Sequence, residues 1–527
     1  MNSLKVLDVT LRDGGCVNNF NFGQSYMEKI LAAQEASGVE IIEMGYIDEK
    51  NGSEFGRTQY INEQVIPQCI LKHKKQNVCY VAMMDYGKFD VNKLQKRSEF
   101  GIDGIRMAFH KKNWKDIISV GRKIINKGYQ FYIQPMITLR YSDAELLDLI
   151  QIVNKELPDA SGFYIVDSFG EMHPNDMSRI LNLVDHNLIP SMTLGFHSHN
   201  NLQMSYSNAI TMIQFPTNRD MILDCSIMGM GKGAGNLNTE LLLEHLNLYY
   251  GKKYIIAPLL EVIDKVVNQL HAEFYWGYAP EYYLSAANQC TPSYASHFYN
   301  KHMLPIDQVG ELLSMIAPEK KISFDKNYAE EIYRKYNEDK SVDDSSVISE
   351  LKERFKDKKI FLVAPGKSIA EEMEKIRTIA NNEDVVTIGL NTILDFNDYL
   401  LTTRRDIYDS AVADGLNIIV CSNISKGGRG KVKILNYSNW IEIDEKTHDS
   451  SSIIAFNLLK ACEVKEILLA GFDGFSIDIN LNYYDPNLRH PINLEQVEQR
   501  NKYYKDFINR MTKSEIKVSF VTESLYQ

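Results

Sequence analysis

The chain has 527 residues, 44% of them hydrophobic and 24% charged, so it is globular and long enough for two or three domains. Its formal net charge of −11, with no basic cluster, argues against a nucleic-acid surface and leaves small molecules or proteins as partners. Seven cysteines without C-x-x-C spacing read as reduced thiols; with no signal-peptide pattern and no membrane-length apolar run, the expectation is a cytoplasmic protein.

The first half alternates short apolar runs with longer amphipathic ones. Strands are expected at Lys5–Thr10, Glu40–Gly45, Val78–Met83, Gly104–Ala108, Gln130–Met136, Gly162–Asp167, Thr193–His199 and Met221–Ser226. Between them lie helical patterns such as Tyr26–Ser37, Asn113–Lys127, Ala144–Glu156 and Asn201–Gln214, and glycines such as Gly38 and Gly128 supply stops. Eight βα units in about 250 residues fit an α/β fold of the (β/α)8 TIM-barrel type better than an open sheet.

In such a barrel the C-terminal strand ends carry the chemistry. Polar residues gather there: Arg12 and Asp13 after the first strand, Glu43 on the second, Arg106 on the fourth, Gln134 on the fifth, Asp167 on the sixth, and His197 and His199 on the seventh. The two histidines are two apart on a strand, so both imidazoles face one way; with a carboxylate they suffice for a divalent cation with open positions. A glycine-rich loop follows the eighth strand and brings Asn236 to the barrel mouth. Glu43, Arg106, Gln134 and Asp167 are expected to face substrate. Each feature also has a plainer reading: a helix cap for Asp167, hydrogen-bonded core histidines for the H-x-H pair, a simple turn for the loop.

Thr10-Leu-Arg-Asp-Gly14, Gly195-Phe-His-Ser-His-Asn200 and Gly229-Met-Gly-Lys-Gly-Ala-Gly-Asn236 together resemble the signatures of the TIM-barrel metallolyases, the group containing 4-hydroxy-2-oxovalerate aldolase, hydroxymethylglutaryl-CoA lyase and isopropylmalate synthase. The likeness covers about the first 300 residues and is greatest to the aldolase branch. It implies a metal held by Asp13, His197 and His199, with Asn236 close by. Mn²⁺ is the expected ion, with Mg²⁺, Co²⁺ or Zn²⁺ as alternatives. It also implies a 4-hydroxy-2-oxo acid cleaved to pyruvate and an aldehyde, and Arg12 facing the developing oxyanion.

The sequence departs from that pattern at one position. The similar aldolases carry a histidine base three residues after the motif aspartate, where this chain has Cys16. A thiol is a poorer base unless its pKa is lowered. Cys16 itself, Tyr46, Asp48, Tyr283 and His297 are the candidates for the proton. The aromatic stretches Phe274-Tyr-Trp-Gly-Tyr278, Glu281-Tyr-Tyr283 and Ser293-Tyr-Ala-Ser-His297 suit either a hydroxylated, sugar-like substrate or helix packing.

The expected organisation is a lyase barrel over 1–256, a helical extension over 257–336, a polar linker or weak helix over 337–356 and a smaller Rossmann-like α/β domain over 357–527. In the last, strands are expected at Lys359–Val363, Val385–Leu390, Asn417–Cys421, Val432–Leu435 and Glu466–Ala470, with helices at Ala370–Ala380 and Ser452–Cys462. Its short motifs resemble, faintly, sialyltransferase and pyrophosphokinase-like domains. That likeness implies Gly366, Ser368, Asn391 and Asp473 around a nucleotide or nucleotide-sugar phosphate, with His448 or His490 as an acceptor-side base. The function expected is a divalent-metal aldolase working through a pyruvate-type enolate in carbohydrate or sugar-acid biosynthesis, in a homo-oligomer. The rivals are a Claisen-type acyl-CoA synthase and a transferase acting through the C-terminal domain.

Overall fold

A computed structural model describes residues 3–53, 55–69, 74–302, 304, 306–425, 427, 431–441, 450–488, 494–513 and 516–527. The chain divides into two compact units, Met1–Ala295 and Ser296–Gln527.

The first unit is a closed barrel. Its strands are β1 (Leu4–Asp8), β2 (Ile41–Ile47), β3 (Cys79–Asp85), β4 (Gly104–Phe109), β5 (Gln130–Pro135), β6 (Gly162–Asp167), β7 (Thr193–Ser198) and β8 (Met221–Cys225). All pair in parallel, and β1 bonds to both β2 and β8, which closes the ring. A two-residue strand, Gln59–Tyr60, is added beside the end of β2. All eight sequence-expected strands are present. Helices α1 (Gln24–Ser37), α2 (Val65–Cys69), α3 (Trp114–Asn126), α4 (Asp143–Glu156), α5 (Pro174–Asn187), α6 (Ser205–Gln214) and α7 (Thr239–Tyr250) surround it. Gly38 stops α1 at φ +87°, and a Ser142–Glu145 capping box starts α4.

Strand alternation sorts the side chains. One parity points outward into the main core; the other fills the barrel with Leu7, Val9, Ile41, Val81, Tyr132, Tyr164, Val166 and Ile222. Gly195 is required in this layer, because a Cβ there would lie 2.3 Å from the Tyr164 ring. After α7 the chain continues as helices, Ala257–Val262, Asn268–Glu273 and Pro280–Ala287; the extension expected over 257–336 is divided, because the first unit ends at Ala295 and the remainder belongs to the second. Trp276, in the first part, is 3% exposed and donates its indole N–H to the Met228 carbonyl 3.0 Å away, in the loop after β8.

The second unit holds a seven-stranded parallel sheet: β9 (Lys359–Val363), β10 (Val385–Leu390), β11 (Tyr399–Thr402), β12 (Ile418–Cys421), β13 (Val432–Leu435), β14 (Glu466–Ala470) and β15 (Lys517–Phe520), in the order β13-β12-β11-β10-β9-β14-β15. This is the expected Rossmann-like arrangement with two more strands than the sequence reading found. Both additions, β11 and β15, are four residues long, too short to show a period. The stretch read as a linker or weak helix holds a helix. Ser345–Phe355 is a helix that buries Leu351 and Phe355, and Asp344 before it accepts from the Trp440 indole at 2.7 Å. Its polar composition is accounted for by partners far along the sequence.

Candidate metal centre

The mouth of the barrel gathers Asp13, which follows β1, His197 at the end of β7 and His199 just beyond it. One potential ligand atom from each lies within 4.8 Å of the others. Asp13 is 3% and His197 5% exposed. Asn236, in the glycine-rich loop, donates its amide to Asp13 Oδ2 at 2.6 Å and to the Met230 carbonyl at 3.1 Å.

The electrostatics suit a cation. Burial alone would raise the Asp13 pKa, but Arg12, aided by the two histidines, holds it well below the usual carboxylate range. Burial, only partly opposed by Asp13, pushes His199 down to about 4, so its ring is neutral at physiological pH and able to ligate. His199 Nδ1 and Asn236 Oδ1 are both buried without a hydrogen-bond partner among the described residues. Around them, Arg12 and Arg106 face Asp13, Glu43 and Asp224, leaving an excess of one negative charge. An imidazole nitrogen, an amide oxygen and an uncompensated carboxylate in a buried cluster are the donor set of a divalent metal site, so the residues fit such an ion.

Arg12 and the strand residues expected to face substrate form a framework instead. Arg12 Nε bonds Glu43 at 2.6 Å, and Nη1 bonds Asp13 at 2.7 Å, while Nη2 is buried without a partner among the described residues. Arg106 is fully buried. It pairs with Glu43 Oε1 at 2.9 Å and with Asp224, lies 4.8 Å above the Tyr164 ring, and donates to the Gln134 carbonyl oxygen in the satisfied orientation of that amide. Glu43, Arg106 and Gln134 are thus held on one another inside the barrel. Asp224, which the sequence reading passed over, also lies 3.0 Å from His197 Nδ1. Its signal was a lone carboxylate in Met-Ile-Leu-Asp-Cys, two residues after the inward-facing Ile222.

Other expected residues are placed differently. The Asp167 carboxylate accepts from the Glu171 and Met172 backbone N–H groups at 3.0 and 3.1 Å, in the loop before α5, so it closes that loop and caps no helix. Asp48 likewise caps its own loop through Lys50 and Asn51. Cys16 is exposed as a residue, but its Sγ lies 4.0 Å from Asp13 Oδ1, where burial of the sulfur and then the Asp13 charge push the thiol up to about 12. Tyr283, 46% exposed, sits on Pro280–Ala287. That helix lies between two anchors on mouth loops, Trp276 to Met228 and the Gln289 carbonyl to Arg140 at 3.3 Å. His297 belongs to the second unit, where Nε2 lies 2.6 Å from Glu330.

In the second unit strand order reverses between β9 and β14, and three of the four expected ligand residues meet there. Gly366 donates to the Gly471 carbonyl at 3.0 Å, and Ser368 gives both its N–H (2.7 Å) and its hydroxyl (2.5 Å) to the Asp473 carboxylate. A carboxylate therefore stands where the sequence reading expected a phosphate. Asn391, with φ +51°, accepts from Thr402 and Thr403 and ties β10 to β11. His448 and His490 lie outside the described residues.

The sequence profile of the HMGL-like family matches residues 3–254. The chain is 30% identical over 245 residues to 4-hydroxy-2-oxovalerate aldolase 2 of Comamonas testosteroni, covering 45% of this chain and 67% of that one. It is 30% identical over 269 residues to 4-hydroxy-2-oxovalerate aldolase 2 of Dechloromonas aromatica, covering 50% and 76%. The HMG-CoA lyase structure from Brucella melitensis aligns with a TM-score of 0.41 at 14% identity, over 52% of this chain and 100% of that one. No helix among the described residues is long and apolar enough to cross a membrane.

Proposed function

The chain belongs to the HMGL-like family of TIM-barrel metallolyases, divalent-metal enzymes acting on carbon–carbon bonds, and within that activity we propose that it forms or cleaves the C3–C4 bond of a 4-hydroxy-2-oxo acid through a pyruvate enolate. The observation that carries the proposal is the Asp13–His197–His199 cluster with the unpartnered Arg12 Nη2 beside it. A divalent cation held by these three residues, with Asn236 next to it, would supply Lewis acidity toward the 2-oxo carbonyl; Mn²⁺ is the ion that the likeness to the aldolases implies, and the same donors also take Mg²⁺, Co²⁺ or Zn²⁺.

The protein groups do the rest. Arg12 is fixed through Nε and Nη1, which leaves Nη2 to bind the carbonyl oxygen as it gains negative charge. Asp224 holds Nδ1 of His197, so that ring presents Nε2. Arg106 and Glu43 lock both groups into one framework. Exposed Tyr275, Tyr278 and Tyr283, on the segment anchored to the mouth loops, support a hydroxylated, sugar-like aldehyde half and with it a role in carbohydrate or sugar-acid synthesis.

The test is methyl proton exchange of pyruvate in D₂O, followed by NMR with and without trace Mn²⁺. Exchange reports enolate formation and needs no knowledge of the aldehyde. Metal-dependent exchange is the expected result; a metal-loaded protein that leaves the methyl protons untouched would sink the proposal.

A further inference from the structure

The inner faces of β2, β3 and β4 end in groups that the metal centre does not use. Alternation from Val81 puts Met83 and Asp85 inside the barrel, and alternation from the buried Arg106 does the same for His110, just past β4. The same count from Ile41 would leave Tyr46 on the outer face. A bulge reverses that: Glu43 pairs with Val81, but Tyr46 pairs with Met83, so one extra residue on β2 brings Tyr46 level with an inward position. Gly45 makes the bulge possible. Its φ is +145°, and a Cβ there would lie 2.1 Å from the Thr58 carbonyl oxygen.

The three groups form a cluster. The Tyr46 side chain lies beside the Asp85 carboxylate, within its electrostatic reach, and the Tyr46 ring stacks on Phe20 at 5.9 Å. His110, Arg12 and Lys88 lie within electrostatic reach of Asp85, but among the described residues no cation forms an ion pair with it. Tyr46, Asp85 and His110 are each partly open to solvent, unlike Glu43, Arg106 and Gln134. In the ring of eight strands β3 stands across from β7, so this cluster faces the histidine side of the mouth.

A substrate whose oxo-acid end is bound at β1, β7 and β8 extends its other end toward this cluster. We infer that Asp85, beside Tyr46, is the proton acceptor for the substrate's 4-hydroxyl group. In that step the O–H proton passes to the Asp85 carboxylate and the O–H pair forms the aldehyde carbonyl. The C3–C4 bond breaks, and its electron pair becomes the pyruvate enolate. One proton then returns to C3, so no further reactant is needed. Burial raises Asp85 above the ordinary carboxylate range, which improves it as a base.

The inference rests on the lyase reading and adds the group that meets the aldehyde half. Two reactions separate them. Oxaloacetate loses CO₂ through the same enolate with no hydroxyl to deprotonate, whereas racemic 4-hydroxy-2-oxo acids with aldehyde halves of two to four carbons need a base. Pyruvate release from both is measured on the full-length, Mn²⁺-loaded protein, with metal content and circular dichroism recorded for each variant. Asp85→Asn is expected to lower cleavage relative to decarboxylation by about 100-fold, and Tyr46→Phe, which keeps the carboxylate, by about 10-fold. If the ratio stays within about threefold in both variants, or if both reactions fall together, Asp85 is not the acceptor. A wild-type protein that decarboxylates oxaloacetate but cleaves none of the hydroxy acids removes the inference alone. One that does neither removes the lyase reading.

Discussion

Nδ1 of His197 lies 3.0 Å from Oδ2 of Asp224, and the same carboxylate is paired with the fully buried Arg106. The contact fixes which ring nitrogen is free and ties the proposed metal ligand to the centre of the barrel. Asp224→Asn keeps the shape and loses the charge. Its expected consequence is a divalent-metal affinity about 10- to 100-fold weaker by calorimetric titration, and unchanged affinity would remove the orienting role.

Arg12 is assigned to charge that develops on substrate. Arg12→Ala should retain bound metal, since the three ligands remain, while pyruvate exchange slows by about 100- to 1,000-fold. Metal analysis beside the NMR assay separates the two effects. Full exchange activity in the variant would leave Arg12 with a purely structural part.

Gly195 admits no side chain because the Tyr164 ring, with Arg106 over it, occupies the space. Gly195→Ala should destabilise the barrel by about 1–3 kcal/mol in urea unfolding. In a Tyr164→Leu background the same change should cost less than half as much, a coupling that a double-mutant cycle reads directly.

Trp276 anchors the loop that carries Asn236. Trp276→Phe keeps most of the ring packing and removes the bond to the Met228 carbonyl. About 1 kcal/mol of stability should be lost. Because the loop positions Asn236, metal affinity should weaken several-fold as well. A loss of stability with metal affinity intact would show that the loop holds its shape without this anchor.

Burial pushes Asp167 up to about 7, against the pull of its two backbone N–H partners. Between about pH 4 and 7 the folded state therefore keeps a proton that the unfolded chain releases, and this group's contribution to stability falls as pH rises through that window. Asp167→Asn cannot titrate. The drop in urea-unfolding stability between pH 5 and pH 8 should be smaller in the variant than in the wild type; an equal drop would place the titration elsewhere.

The barrel was legible because its strands are apolar, evenly spaced and end in polar residues. The His197 and His199 pair was legible because period two puts both on one face. Depth was not: Glu43, Arg106 and Gln134 point inward as expected, but nothing in the sequence says that they bond to one another and leave little for a ligand. Asp167 was misread from its place at a strand end, although alternation from Val166 puts it on the outer face. Asp344 looks like a surface carboxylate in the text and Asp473 like a ligand-facing one, and only contacts with Trp440 and Ser368, far along the chain, reveal their use. Asp224 and Asp85 needed strand parity to be counted residue by residue, and Tyr46 needed knowledge of an irregularity that parity alone conceals.

The extra residue before Tyr46 also bears on how such a scaffold diversifies. Removing one residue at Met44 or Gly45 would leave the lower part of β2, with Ile41, Ile42 and Glu43, in place against its neighbours. Everything after it would shift by one position, and the tyrosine would trade its lumenal neighbours for the surrounding helices. Insertion and deletion at this point thus work as a single-letter edit that repaints one quadrant of the mouth while Glu43, which holds Arg12 beside the cation cradle, keeps its place. Libraries aimed at new aldehyde partners would profit from varying length here before varying identity.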